Sequence, residues 1–393
     1  MPHRVPDHYS MLGVGFSLAT DSSHVRDFFR AAYRRFRVDR PAEGRGELEL
    51  SAVFGAGGGD AWASAGGARL DLTGRPMPEN RAFLFLLNAL MDQVEGYLLV
   101  HGAAFSAGGR GFIVAGPPTA GKSTLALELA RRGAILLSDD VAPLDRGTGL
   151  LHAFPRAIGI RRDAVAMAGV DLASLPPSLV HALPHKWLVD LEALGLKQPG
   201  PDDAPCPVEG VFLLEPGESW PEQLPGEGAS TRRQERQRME IALAEADEGL
   251  LVELRSVDGI EDLRPVEGSP FPLYEFSAQR SSRPMRALEA ICGQRRDLIL
   301  FLDEARPAPH DRPQEPRLAV AKWSSLLVDL ARELLNRSAT GKLMRSCGNL
   351  PALMSELGRA LSGSRAWLLQ PGTPARTADA VFALMAEGRS ART

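Results

Sequence analysis

The segment "GPPTAGKST", residues 116–124, constrains the fold more than any other part of the sequence. It fits the pattern G-x-x-x-x-G-K-[ST], in which glycines allow the tight bends that bring backbone N–H groups around a phosphate. The apolar run "RGFIVAG" before it predicts a strand, and "KSTLALELARRG" after it predicts a helix ending at a glycine. Another apolar run, "AILLSDD", predicts the next strand. This order of elements favours an α/β fold with a parallel or mixed sheet covered by helices.

The same motif predicts a site for ATP, or for GTP, together with Mg²⁺. Lys122 would reach the β- and γ-phosphates as a point charge, and the hydroxyl of Ser123 would ligate the metal. The helix that follows would direct its positive N-terminus at the anion. The residues expected to bind the nucleotide are Gly116, Pro117, Pro118, Thr119, Ala120, Gly121, Lys122, Ser123 and Thr124.

Titratable groups bracket this motif. Asp139 and Asp140 end the apolar run "AILLS", where an acid of a P-loop protein holds the metal directly or through water. One of two adjacent acids could hold Mg²⁺ while the other accepts a proton from an incoming hydroxyl; the alternative is an ordinary Asp pair that opens a turn. His101 ends the run "YLLV", and a hairpin with its turn at "SAGGRG" would bring it near the phosphate-binding turn. A lone histidine is, however, more often structural.

The composition indicates the broad class of protein but does not indicate which reaction it catalyses. The 393 residues suffice for two or three domains, and 44% hydrophobic with 24% charged residues is ordinary for a globular chain. A net charge of −4 gives no reason to expect a nucleic-acid partner. The 3 cysteines lack metal spacing and suit a reducing compartment. No uncharged run reaches the ~18 residues of a membrane span, so we expect a cytoplasmic protein without a membrane partner.

The rest of the chain predicts a small N-terminal α+β region over residues 1–95, where "ELELSAVFG" and "ARLDLTG" alternate like strands. The P-loop domain would cover residues 96–304, with further strands at "HAFPRAIGIR", "VEGVFLLEP" and "GLLVELRS". The proline-rich residues 305–316 predict a linker. The amphipathic run "RLAVAKWSSLLVDLARELLNR" then begins a C-terminal helical module over residues 317–393.

The stretch between His101 and Asp140 resembles the catalytic domain of bacterial HPr kinase/phosphorylase. That family has a strand-end His-Gly pair, a hairpin, a P-loop and an apolar strand ending in Asp-Asp, matched here by His101-Gly102, "GPPTAGKST" and "LLSDD". The resemblance implies a P-loop fold of the class shared with phosphoenolpyruvate carboxykinase. It also implies a kinase whose acceptor is a serine on a small protein, and the family's ring hexamers leave a homo-oligomer open.

The resemblance assigns roles residue by residue. It implies that Asp140 is the base, Asp139 the metal partner and His101 an assisting residue, with Lys122 and Ser123 on phosphate and Mg²⁺. The region "HAFPRAIGIR" departs from the family's glycine-containing signature for phosphorolysis, so the resemblance does not extend to a phosphorylase activity. In that region Arg156 and Arg161 either contact phosphate or substrate, or are ordinary surface arginines.

We therefore expect a nucleotide-dependent kinase that phosphorylates a hydroxyl, with a serine of a small protein or peptide as acceptor. The pattern is also similar to HPr-kinase-related proteins that occur beside peptide-modifying enzymes. Two alternatives stay open at the level of sequence. One is a kinase of a small-molecule hydroxyl, and the other is a non-catalytic scaffold or sensor that binds nucleotide.

Overall fold

A computed structural model describes most of the chain. The described residues are 5–39, 47–55, 60–75, 78–116, 120–183, 186–197, 199, 204–215, 236–243, 245–266, 272–279, 284, 287–288, 291, 298–304, 314–336 and 341–387. Within these ranges the architecture is mixed α/β, as the sequence pattern predicts, with four sheets and eight α-helices. None of these helices combines the length and apolar character that crossing a membrane requires.

The elements are numbered in chain order. The strands are β1 (Asp7–Met11), β2 (Val14–Thr20), β3 (Arg37–Val38), β4 (Leu48–Val53), β5 (Trp62–Ala65), β6 (Ala68–Asp71), β7 (Tyr97–Ala107), β8 (Arg110–Ala115), β9 (Ile135–Ser138), β10 (Val141–Asp145), β11 (Leu150–Leu151), β12 (Ile158–Arg161), β13 (Val180–Ala182), β14 (Lys186–Val189), β15 (Cys206–Leu214), β16 (Arg236–Leu243), β17 (Ile260–Pro265), β18 (Leu273–Gln279), β19 (Ile299–Glu304), β20 (Arg317–Val320) and β21 (Arg365–Gln370). The helices are α1 (Ser23–Ala32), α2 (Pro78–Met91), α3 (Lys122–Arg131), α4 (Glu248–Arg255), α5 (Trp323–Arg332), α6 (Lys342–Cys347), α7 (Leu350–Ala360) and α8 (Pro374–Glu387).

The N-terminal region is a six-stranded sheet of order β3-β1-β2-β4-β5-β6, packed against α1 and α2. The strands alternate buried and exposed residues, so one face carries the core. Tyr9 and Phe16 stack on that face with ring centroids 4.8 Å apart. Ser22 caps α1 by accepting the Val25 N–H, which fixes where the helix begins. Residues 34–36 form a short 3-10 turn that leads from α1 into β3, which pairs with β1.

The central sheet has the order β11-β10-β7-β8-β15-β21-β20, with β9 also paired to β7. Strand β15 runs parallel to β8 and β21, whereas the other pairs are antiparallel, so the sheet is mixed as predicted. The β7–β8 hairpin predicted at "SAGGRG" is confirmed, because Ala107 pairs with Arg110 across the turn. Helix α3 packs over this sheet beside α8.

The C-terminal region differs from the helical module expected over residues 317–393. Strand β20 pairs with β21, and β21 lies beside β15, so both strands belong to the central sheet. The amphipathic run that predicted one long helix begins as β20, and α5 starts only at Trp323. The buried side of β20 is small, since only Ala319 of its four residues is buried. Pairing with β21 decides its conformation more than its own pattern does.

The run "GLLVELRS" was predicted as a strand, and that prediction is wrong. It forms α4, whose N-cap Asp247 accepts the Leu250 N–H at 2.8 Å. Leu250, Leu251 and Leu254 are buried, which is the spacing of one helical face. The helix packs beside β17 of a four-stranded sheet with the order β17-β18-β16-β19. The two other runs predicted as strands contain β12 and β15.

Candidate functional site

The turn that the sequence predicts to bind phosphate, residues 116–121 (the phosphate-binding turn), joins β8 to α3. Gly116 and Gly121 have φ angles of 151° and 103°, which side-chain-bearing residues rarely adopt, so glycine is needed at both bends. Helix α3 begins at Lys122, whose Nζ donates to the Gly116 carbonyl at 2.6 Å. This bond folds the lysine side chain back over the turn. Pro117, Pro118 and Thr119 of the predicted nucleotide site lie outside the described residues.

The other predicted nucleotide ligands begin or precede the helix. Ala120 is buried beside Gly121, and Ser123 and Thr124 are half-buried in the first turn of α3. The free backbone N–H groups of such a first turn favour an anion. Lys122 and Ser123, predicted to bind phosphate and metal, therefore both lie at the N-terminus of α3.

His101 lies on β7 next to the point where the chain leaves β8 for the turn. Gly102 pairs with Ala115, the last residue of β8, and His101 pairs with Val141 on the opposite side. A Cβ at Gly102 would approach the Val114 carbonyl oxygen to 2.7 Å. Glycine is therefore needed after His101 for a steric reason: it lets β7 and β8 approach each other closely beside the histidine.

Asp139 and Asp140 fill a two-residue break between β9 and β10. Both strands run antiparallel to β7, so the acids lie beside the middle of β7 and not at the outer edge of the sheet. The Gly102 N–H donates to the Asp140 carbonyl at 3.2 Å across this break. Sheet pairing therefore brings Asp140 to His101, although 39 residues separate them in the chain.

A compact ion cluster forms around Asp140. His101 Nε2 lies 3.1 Å from its Oδ1, and Arg156 donates to its Oδ2 at 2.8 Å. On the other side of the imidazole, His101 Nδ1 lies 3.0 Å from Glu333 Oε2. The Asp140 side chain is 36% exposed, so it is only partly buried although both of its oxygens are bonded. Arg156, for which the sequence left open a surface position or a contact with phosphate or substrate, is 7% exposed and lies within the cluster.

Asp139 faces a different environment. Its Oδ2 accepts the Gly159 N–H at 2.9 Å, and its Oδ1 lies 3.8 Å from Arg156 Nε. The Oδ1 atom is buried and has no hydrogen-bond partner among the described residues. Such an atom is costly unless it meets a cation or a donor. The two adjacent acids therefore have separate surroundings, as the sequence allowed.

The electrostatics separate the two carboxyl groups. Burial raises the pKa of Asp139, against the charge of Arg156 and together with that of Asp140. Burial opposes ionisation of Asp140 too, but the Arg156 guanidinium and the His101 hydrogen bond hold its pKa well below the usual range. For His101, burial disfavours the cation, yet bonds to Asp140 and Glu333 raise its pKa to about 9. Asp140 is thus ionised and His101 protonated at neutral pH.

Sequence reasoning missed several members of this site. Glu333 lies 232 residues from His101, and no local pattern points to it. Lys186, on β14, contributes a positive charge that lowers the pKa of both aspartates. Tyr33 ends α1 and lies fully buried under the Arg156 guanidinium, 5.8 Å from ring centre to Cζ. Arg161, the other arginine considered, lies 3.8 Å from Glu240.

The donor set fits Mg²⁺ in its usual role with a nucleotide. Across the described ranges no group of three or more His, Cys, Asp and Glu side chains could hold a metal alone. Mg²⁺ is ordinarily held by one or two carboxylates, with phosphate oxygens and waters filling the other positions. Asp139 Oδ1, which has no hydrogen-bond partner among the described residues, and the Ser123 hydroxyl are oxygen ligands of the kind that Mg²⁺ takes, and a nucleotide would have to supply the rest.

Comparison with known proteins assigns no family: no family model matches the chain, and no curated protein is significantly similar to it.

Proposed function

We propose that this protein is an ATP-dependent kinase with a P-loop fold of the HPr kinase type. It transfers the γ-phosphoryl group to a hydroxyl, and the acceptor is a serine of a small protein or peptide. The observation that carries the proposal is the cluster of His101, Asp140 and Arg156 beside the strand that leads into the phosphate-binding turn. A module that only binds nucleotide has no need of a partly exposed, ionised carboxylate held there.

The turn and the start of α3 supply the donor side. Lys122 Nζ, now on the Gly116 carbonyl, is positioned to exchange that oxygen for a β- or γ-phosphate oxygen. The first-turn N–H groups of α3 and the half-buried Ser123 hydroxyl complete a polar cradle. GTP fits the same cradle, since none of these contacts reads the base.

Asp140 supplies the acceptor side. Its partly exposed carboxylate accepts the hydrogen bond of the incoming hydroxyl and orients the oxygen towards the γ-phosphorus. The bonds from His101 and Arg156 make this carboxylate a weak base. A weak base suffices in phosphoryl transfer, because the transition state is loose and the hydroxyl proton leaves late. Orientation is therefore its main contribution, and the two cations keep it ionised and fixed.

Asp139 and Ser123 would hold Mg²⁺. When bound, the metal neutralises charge on the β- and γ-phosphates. The buried Oδ1 atom of Asp139 is the side-chain oxygen that this role requires, and the Gly159 N–H holds the other oxygen in place. Burial raises the pKa of Asp139, and the charge of the bound cation would lower it again.

The test is transfer of a radiolabelled γ-phosphate from ATP with Mg²⁺ to whole lysate, to small proteins and peptides encoded nearby, and to small hydroxyl compounds. The variants are Asp140→Asn and, as a matched control, Asp379→Asn, whose carboxylate is exposed on α8 and pairs with Arg132. We expect an acid-stable labelled serine with wild type and Asp379→Asn, and a loss of about 10²–10⁴-fold with Asp140→Asn. Nucleotide binding without transfer to any acceptor would overturn the proposal in favour of a scaffold or sensor. Label found only on small compounds would overturn the choice of acceptor.

A further inference from the structure

The phosphate-binding turn leaves the central sheet at the place where a C-terminal segment, residues 333–336, enters it. Strand β8 lies beside β7 up to the pair of Ala115 with Gly102. The residue before Gly102 on β7 has a different partner on this side. The His101 N–H donates to the Glu333 carbonyl at 2.7 Å. The segment takes the position that β8 gives up, and so it borders the mouth of the turn.

Further backbone contacts fix this segment. The Leu335 N–H donates to the Leu99 carbonyl at 2.8 Å, and Leu334 forms an antiparallel bridge with Val100. Fully buried Asn336 closes the arrangement: its Oδ1 accepts the Leu99 N–H at 3.2 Å. Its amide nitrogen donates to the carbonyls of Val94 and Tyr97 at 3.1 and 2.9 Å. The Glu333 carboxylate therefore stands on a rigid support.

The hydrogen bonds of His101 decide what this carboxylate does. Each ring nitrogen faces a carboxylate oxygen, Asp140 Oδ1 at 3.1 Å and Glu333 Oε2 at 3.0 Å. An ionised carboxylate only accepts hydrogen bonds, and a neutral imidazole has only one N–H to give. Both contacts are satisfied together when the ring carries both protons. The positive charge of Lys122 opposes this protonation.

We infer that Glu333 is a positioning residue for the phosphoryl transfer: it holds His101 as an imidazolium that stays bonded to Asp140 beside the phosphate-binding turn. This inference rests on the proposed function. Among the described residues the Glu333 carboxylate bonds to the histidine and not to Asp140, so its effect passes through the imidazole. It gives the C-terminal region a part in the site, because without residues 333–336 the imidazole would have one carboxylate partner instead of two.

The test compares Glu333→Gln, which keeps the shape but loses the charge, with Glu333→Asp, which keeps the charge. The control is Glu356→Gln, which removes a half-buried carboxylate that pairs with Arg146 at 2.7 Å elsewhere in the C-terminal region. Nitrogen NMR of labelled histidine reads the protons on His101 in the nucleotide-free protein. Steady-state kinetics with ATP and the acceptor serine then separate kcat from KM.

We expect both His101 nitrogens to be protonated at neutral pH in wild type and in Glu356→Gln. In Glu333→Gln the pH at which His101 loses its second proton should fall by about one unit or more, which is the usual effect of removing one neighbouring negative charge. The kcat should fall at least about tenfold with little change in KM for ATP, and Glu333→Asp should recover part of it. Unchanged protonation and unchanged kcat in Glu333→Gln would overturn the inference.

The two proposals fail in different ways. A wild type that binds ATP but transfers no phosphate contradicts the proposed function, whereas the NMR comparison needs no substrate and still decides whether Glu333 fixes His101. Conversely, a wild-type kinase whose Glu333→Gln variant matches Glu356→Gln in every measurement contradicts only the role of Glu333. Thermal unfolding of each variant shows whether a loss of rate reflects a loss of fold.

Discussion

The Nε2 atom of His101 lies 3.1 Å from Oδ1 of Asp140, although 39 residues separate the two in the chain. The contact follows from the sheet, because β9 and β10 both pair with β7 and leave the aspartates opposite the His-Gly pair. One hydrogen bond thus joins the two groups that bracket the phosphate-binding turn in sequence. The same bond makes Asp140 a weaker base and His101 a stronger one.

Stability should fall as pH rises through the titration of His101. Its pKa is raised from 6.5 to about 9 by Asp140 and Glu333, against the effect of burial. The stabilisation is therefore complete below pH 6.5 and is lost as pH rises through about 9. Chemical denaturation across this window should show a decline of up to a few kcal/mol in wild type and a flatter profile in His101→Gln.

His152 provides a control of opposite sign. Burial lowers its pKa, with the charge of Asp145 opposing, so its contribution is lost as pH falls. His152→Gln should leave the alkaline decline intact and reduce the loss on the acid side. An alkaline decline that persists unchanged in His101→Gln would refute the assigned protonation of His101.

Replacing Arg156 with Gln should destabilise the protein by about 3 kcal/mol or more, because two acids lose their buried counter-charge. The guanidinium lies 2.8 Å from Asp140 and 3.8 Å from Asp139. Its removal should raise the pKa of both carboxyl groups, so the variant should be least stable at neutral pH and recover as pH falls. Thermal unfolding at two pH values measures this, with Arg365→Gln as a control from an exposed pair.

Local sequence patterns predicted the part of the site that the chain forms within forty residues. The hairpin, the turn with its two positive-φ glycines and the start of α3 all follow from residue type and spacing. The prediction that Asp139 and Asp140 end a strand was correct for β9, but β10 resumes at once beside the same partner. Strand pairing, which no local pattern reports, places the acids in mid-sheet.

Long-range contacts explain what the sequence could not give. The residue type of Arg156 fits an exposed surface as well as its buried place over the Tyr33 ring, and only the packing of α1 against the core distinguishes the two. Glu333 belongs to an amphipathic run whose pattern predicts helix, and its role depends on where that helix ends. The run that became α4 contains apolar residues suited to either structure, and the Asp247 cap decides for the helix.

Lys122→Ala should abolish transfer and weaken ATP binding. Lys122 is 8% exposed and its Nζ donates to the Gly116 carbonyl, and alanine has no charge to place on the phosphates. Titration calorimetry with ATP measures the binding loss, and the labelled-phosphate assay measures transfer. Lys342→Ala, at the start of α6, is the matched control and should keep both. Full transfer by Lys122→Ala would exclude this turn as the donor site.

Asp139→Asn should raise the Mg²⁺ concentration needed for half-maximal transfer by at least about tenfold, because an amide is a weaker ligand than a carboxylate. The fold should survive, since the amide oxygen can still accept the Gly159 N–H. Binding of ATP without metal should change little. A metal titration of the transfer rate, compared with that of Asp379→Asn, measures the effect. Identical metal dependence in the two variants would remove Asp139 from the metal site.

Gly102→Ala should cost about 1–3 kcal/mol and reduce transfer, although it adds only a methyl group. The new Cβ would lie 2.7 Å from the Val114 carbonyl oxygen and 3.4 Å from the Ala115 Cα, so β7 and β8 must separate. That movement displaces His101, whose place beside the turn depends on this pairing. Gly96→Ala, with no atom within 4 Å of its Cβ, is the control and should be nearly neutral. Denaturant unfolding and the His101 NMR signals test both variants; equal stability and equal signals would mean that the close approach does not hold the histidine.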